Sequence, residues 1–154
     1  MKKGILTAVL LAMILCGCGG KEPKNASAKD AVLYFASAAQ AKNEDAIIMA
    51  QTPDAREHAK KYKEDYVAYV QEKFYGQMGE LDIYQTKKID DETEKMLIGW
   101  RKDNTETYRL PHIVTVKKIN GNWLIENIEK DPLFYASWDI DVDKKEHFNI
   151  EPLK

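Results

Sequence analysis

Three histidines, His58, His112 and His147, are the side chains suited to proton transfer near neutral pH. They have no metal-ligand spacing. His58 falls on the charged face of a helical stretch and reads as solvated. His112 follows Pro111 and shares a strand face with Tyr108 and Leu110, where with Tyr34 or Tyr84 it could form a polar cluster. General acid–base work needs such groups within hydrogen-bond reach of a substrate. His112 is therefore the single catalytic candidate, and a histidine satisfied at a strand bulge is the simpler account of it. Asp139, Asp141 and Asp143 alternate like the start of a calcium loop. That loop needs Gly at its sixth position and Glu at its twelfth, where Lys144 and Ile150 stand. Alternating aspartates around Ile140 and Val142 fit an edge strand guarded by charge. The serines, Ser27, Ser37 and Ser137, sit in no Gly-x-Ser-x-Gly elbow. No phosphate-binding glycine loop and no His-Glu-x-x-His is present. The chain carries no catalytic constellation, and neither a metal nor another cofactor is expected.

The remaining reactive residue is a cysteine. Met1-Lys2-Lys3 is a short basic start, Ile5 to Leu15 is apolar, and Leu15-Cys16-Gly17-Cys18-Gly19-Gly20 follows. This order is that of a secretory signal. Its ending resembles the lipobox of bacterial lipoproteins. The resemblance implies cleavage after Gly17, lipid on Cys18 and a mature chain that begins at the lipidated cysteine. Lipid on Cys16 would leave Leu15 at the cleavage position, where small Gly17 fits better. A bilayer span needs about 20 apolar residues, more than this run supplies. A multiply acylated cysteine, which the resemblance implies, would be a firm anchor.

Removal of residues 1–17 from the 154 leaves enough chain for one domain. Lys2 and Lys3 leave with the signal, so the mature chain is mildly acidic, which argues against a nucleic-acid partner. Cys16 is also lost and Cys18 is modified, so neither disulfide nor thiol chemistry is available. A hydrophobic core must hold the domain.

Gly19 to Ala26 reads as a flexible polar tether, residues 18–27 in all. Its Asn25-Ala26-Ser27 matches a glycosylation sequon, for which a plain linker is the simpler reading. Ser27 with Asp30 resembles a capping box. Val32, Phe35, Ala36 and Ala39 then recur at helical spacing. A short second helix is predicted over Ala46 to Gln51. Thr52-Pro53 opens a third, running to about Phe74 with Ala59, Tyr62, Tyr66, Tyr69, Val70 and Phe74 as a core stripe. Beyond Gly76 and Gly79 the period changes to that of strands: Leu81 to Ile89, Lys95 to Lys102, Glu106 to Lys118, and Asn122 to Ile128. Pro111 should mark a bulge or an unpaired edge position. Asn120-Gly121 is a type I′ hairpin signal. The prediction is an α+β fold, N-terminal helices packed on a curved four-stranded antiparallel sheet.

Ala31 to Ala39, Asn43-Glu44-Asp45-Ala46 and the ending Val114 to Glu126 with its Asn120-Gly121 turn and Trp123 resemble the cone-shaped nuclear-transport-factor-2-like fold. More closely, the chain resembles small bacterial lipoproteins of unknown function built on it. The resemblance implies a domain over 28–130 with a cavity at the open end, for which Tyr34, Tyr84, Trp100, Tyr108 and His112 are the candidate lining. Fold alone does not say whether such a cavity binds, catalyses or is filled. Residues 131–154 depart from the pattern. Their large apolar groups, Leu133, Phe134, Tyr135, Trp138, Phe148, Ile150 and Leu153, predict an extension that packs back on the domain and adds a strand or closes the mouth. The expected function is that of a membrane-anchored envelope protein with a domain that binds a small ligand or another envelope protein. A small isomerase- or dehydratase-like enzyme and an assembly role are the alternatives.

Overall fold

The computed structural model describes residues 21–101, 111–129, 138 and 144–154. Cys18 and Gly17, Tyr108 and the alternating aspartates lie outside them. Among the described residues no helix is long and apolar enough to cross a membrane. The order is α1 (Ala28–Gln40), α2 (Glu44–Met49), α3 (Pro53–Lys61), α4 (Lys63–Lys73), β1 (Glu80–Lys88), β2 (Thr93–Arg101), β3 (His112–Ile119), β4 (Asn122–Glu129) and β5 (Glu146–Asn149). The architecture is α+β, as expected, with four helices and five strands among the described residues.

Each of the first three helices begins at a cap its sequence encodes. Ser27 Oγ accepts from the Asp30 amide at 3.1 Å, and Asp30 accepts from the Ser27 amide at 3.0 Å, closing the capping box. Asn43 caps α2, and Thr52 caps α3 ahead of Pro53. The expected single third helix is broken at Tyr62, where the backbone leaves the helical region (φ −114°, ψ 39°). Between buried Ala59 and Tyr66 the only apolar side chain at helical spacing is Tyr62, and it is exposed. The charged run therefore has no inward stripe to hold one continuous helix against the sheet.

The strands form one antiparallel sheet in the order β4-β3-β2-β1-β5. Asn120 and Gly121 both take positive φ (52° and 81°), as the type I′ turn between β3 and β4 requires. The expected four strands become five because the C-terminal segment returns beside β1, pairing Leu81 with Phe148 and Asp82 with His147. Pro111 immediately precedes β3, a position that needs no ladder amide. The core lies between helices and sheet: Val32, Phe35 and Ala39 of α1 and Phe74 meet Met96, Ile98, Trp100 and Val114. On the sheet's other face Leu97, Ile113 and Trp138 form a second buried cluster, with Tyr84 against it. Gly99 allows that arrangement, since a Cβ there would stand 3.0 Å from the Tyr84 ring.

The tether is not free along its length. Asn25 is buried; its amide donates to Asn122 Oδ1 at 2.7 Å and its Nδ2 to the Trp123 carbonyl at 2.9 Å. The Trp123 amide returns a bond to the Asn25 carbonyl at 3.2 Å. Asn122 Nδ2 donates to the Pro23 carbonyl at 2.7 Å, and Glu22 pairs with Arg56 at 2.6 Å. Residues 22–25 are thus a strap along the β3–β4 hairpin. Their polarity, read as solvation, is used for hydrogen bonds. The sequon amide is already engaged.

Candidate functional site

A cavity of about 200 Å³ lies between the α3–α4 arm and β4. The α2–α3 connection fixes its floor. The Ile125 amide donates to the Ala50 carbonyl at 2.9 Å, and the Thr52 amide donates to the Ile125 carbonyl at 2.8 Å. Gln51, between these bonds, is buried and donates from Nε2 to the Tyr66 hydroxyl. Tyr66, Tyr69, Val70 and Phe74 line the helical wall at spacings of three and four, one face of α4. Phe35 stands edge-on to Phe74 at 5.4 Å between ring centres, and Tyr69 does the same at 5.7 Å. Ile125 and Ile128 form the opposite wall, with Glu126, Asn127 and His58 as polar groups of the lining. His58 is exposed, its ring tilted 43° to that of Tyr62 with the centres 4.7 Å apart.

Burial raises the Tyr66 phenol's pKa, and Tyr75, Glu44 and Tyr69 push it the same way, so this hydroxyl stays protonated. Burial likewise raises Tyr69. Glu126 is ion-paired with Lys117. The site therefore presents neutral hydroxyls and amides, together with His58 and the ion-paired Glu126, against aromatic walls. Among the described residues no group of three or more His, Cys, Asp or Glu comes together to hold a metal.

The predicted lining residues fall elsewhere. Trp100 is buried between Phe74 at 5.4 Å and His112 at 4.3 Å. Its Nε1 makes no hydrogen bond among the described residues. His112 is buried and shares the helix-facing side of the sheet with Trp100, as the strand pattern requires. Tyr84 is on the opposite face, so it cannot join His112 in a polar cluster. Tyr34 borders a surface hollow with Asn43, Asp45 and Leu153. None of these four borders the cavity beneath α4.

The tyrosine stripe, expected as core, divides instead. Val70 and Phe74 are buried, while Tyr69 and Tyr62 are 40% and 45% exposed. The signal for this was present: three tyrosines at helical spacing supply polar tips that a closed core has no use for. Asp82 was also missed. It is fully buried on β1, its Oδ1 2.6 Å from His147 Nδ1 and its Oδ2 2.6 Å from Lys145 Nζ. Burial pushes its carboxyl up, but the two bonds outweigh that and hold it below the ordinary range. Its partners come from the returning C-terminal segment, His147 in β5 and Lys145 just before it.

No family model, no curated protein and no solved structure matches this chain.

Proposed function

We propose that this protein is an exported lipoprotein, anchored to a membrane through lipid on Cys18, whose α+β domain is a binding module and not an enzyme. The anchor places it on the outer surface of the cell membrane, or in the outer membrane of a cell that has one. The domain is read as nuclear-transport-factor-2-like. Support for that comes from helices on one face of an antiparallel meander and the Asn120-Gly121 hairpin with Trp123. The observation that carries the binding reading is the cavity under α4: aromatic and aliphatic walls with few polar groups, the usual make-up of a ligand site. Its volume is below the roughly 300–1,000 Å³ of sites for drug-sized ligands, so the occupant is a small molecule or one side chain of a partner.

Thermal melting of the full-length protein in detergent against a small-molecule collection tests this. Compounds that raise the midpoint are expected, and Ala55→Leu, which fills the cavity, should abolish their effect while preserving the fold. Shifts that survive in Ala55→Leu, or no shift from any compound, would sink the reading. The anchor has its own test: Cys18→Ala should lose palmitate labelling and membrane partition.

A further inference from the structure

We infer that the cavity under α4 takes a compact organic ammonium, a quaternary or primary amine carried on a small apolar body; this rests on the binding reading above. Two observations carry it independently.

The first is the walls. Phe35, Tyr66, Tyr69 and Phe74 put four aromatic rings around one small space. A ring face is negative and attracts a cation held against it, and cages of such rings are the recurrent device for quaternary ammonium recognition. Tyr69 is 40% exposed, so one wall is open to a ligand arriving from water.

The second is the charge around those walls. No lysine or arginine lines the cavity among the described residues. Glu126 lines it directly, with Lys117 as its ion-pair partner. Glu44 acts on the Tyr66 hydroxyl in the sense of an added negative charge. At Tyr69 the nearby Lys73 acts in the opposite sense and outweighs Glu72. At the floor Gln51 Nε2 donates to the Tyr66 hydroxyl oxygen, a neutral pair. A cation meets aromatic rings and the Glu126 carboxylate here, and no lysine or arginine of the described lining competes with it.

A free ammonium compound and a lipid head group share this chemistry. The experiment measures binding to the full-length protein in maltoside micelles by saturation-transfer NMR and calorimetry. Ligands are tetramethylammonium, choline, glycerophosphocholine and 3,3-dimethylbutan-1-ol, the neutral carbon counterpart of choline. Choline should bind at least about tenfold more tightly than the neutral alcohol. Tyr69→Leu should remove most of that preference and Tyr69→Phe, which keeps the ring, should restore it. Equal binding of glycerophosphocholine and choline assigns the site to a head group, and exclusion of the former assigns it to a free ammonium; both support the ammonium class. Equal affinity for choline and the neutral alcohol overturns the ammonium inference and leaves the binding reading standing. Failure of all four to bind overturns the ammonium inference; the compound collection and Ala55→Leu then decide the binding reading on their own.

Discussion

The strap at residues 22–25 and the returning strand β5 cover opposite ends of the same meander, but by different chemistry. The strap closes on the β3–β4 hairpin mainly through neutral amides: Asn25 and Asn122 exchange bonds with each other's segments and with Trp123. β5 closes on β1 through a buried carboxylate, Asp82, shared by Lys145 and His147. Both protect strand edges that would otherwise offer unpaired backbone to another chain. A neutral latch keeps its strength across pH, whereas a carboxylate latch holds only while the acid is ionised. The difference also bears on position in the chain. The strap leads from the proposed lipid site and keeps the domain close to it, since from Cys18 to Glu22 the chain can span at most about 14 Å.

The largest effect expected from breaking this comparison is on the C-terminal side. Trp138 is buried with Leu97 and Ile113, and Lys87 Nζ lies 4.1 Å from its ring centre. Trp138→Ala should cost roughly 3–5 kcal/mol in chemical denaturation, because removal of a large buried side chain leaves a cavity that the surrounding structure only partly fills. Next comes the strap. Asn25→Ala removes a buried amide and orphans the Trp123 carbonyl, so a loss of roughly 1–3 kcal/mol is expected. A loss near zero would mean that the strap rests on the hairpin without holding it.

Most of the framework was legible in the sequence, since it is encoded locally. Ser27 with Asp30, Thr52-Pro53 and Asn120-Gly121 each specify a cap or turn within four residues, and the structure uses all three. The apolar tail was legible as packing, because Phe148, Ile150 and Leu153 have no other stable place; all three pack against the core. What could not be read depends on partners far along the chain. Asn25 is separated from Trp123 by 98 residues, and Asp82 from His147 by 65. Asn25 reads as part of a polar linker and Asp82 carries no local signal, because distant segments supply the bonds of both. The cavity under α4 has a related origin. His112 and Trp100 pack together on the sheet, while the break at Tyr62 sets the tyrosines of α4 over β4.

Acid sharpens the contrast between the latches. Asp82 has a lowered carboxyl in the folded state, against an ordinary value of 3.8. Its contribution is therefore complete above that value and is lost as pH falls below it through the folded pKa. Amide exchange of β5 should accelerate below about pH 4, measured against a central strand such as β3. In Asp82→Asn the β5 amides should already exchange faster at neutral pH, and the acid-dependent step should shrink. A β5 whose protection tracks β3 at every pH would show that backbone pairing alone retains the strand.

The smallest effect belongs to a charged contact of the strap, and it tests whether the neutral bonds suffice. Glu22 pairs with Arg56 at 2.6 Å, and that bond holds the Glu22 carboxyl below its ordinary value of 4.5. Glu22 is 41% exposed, so water and salt screen the pair, although Arg56 is anchored by its bond to the Met49 carbonyl. Glu22→Gln should cost less than about 1 kcal/mol, and raising the salt concentration should erase most of the difference from the parent. The sign in pH follows Asp82: the contribution is present above 4.5 and fades below it. Exchange at the Asn25 amide should remain slow in Glu22→Gln, because its bond to Asn122 is untouched. If that amide instead exchanges as fast as in Asn122→Ala, the ion pair and not the amide bonds fastens the strap, and the contrast between the two latches collapses.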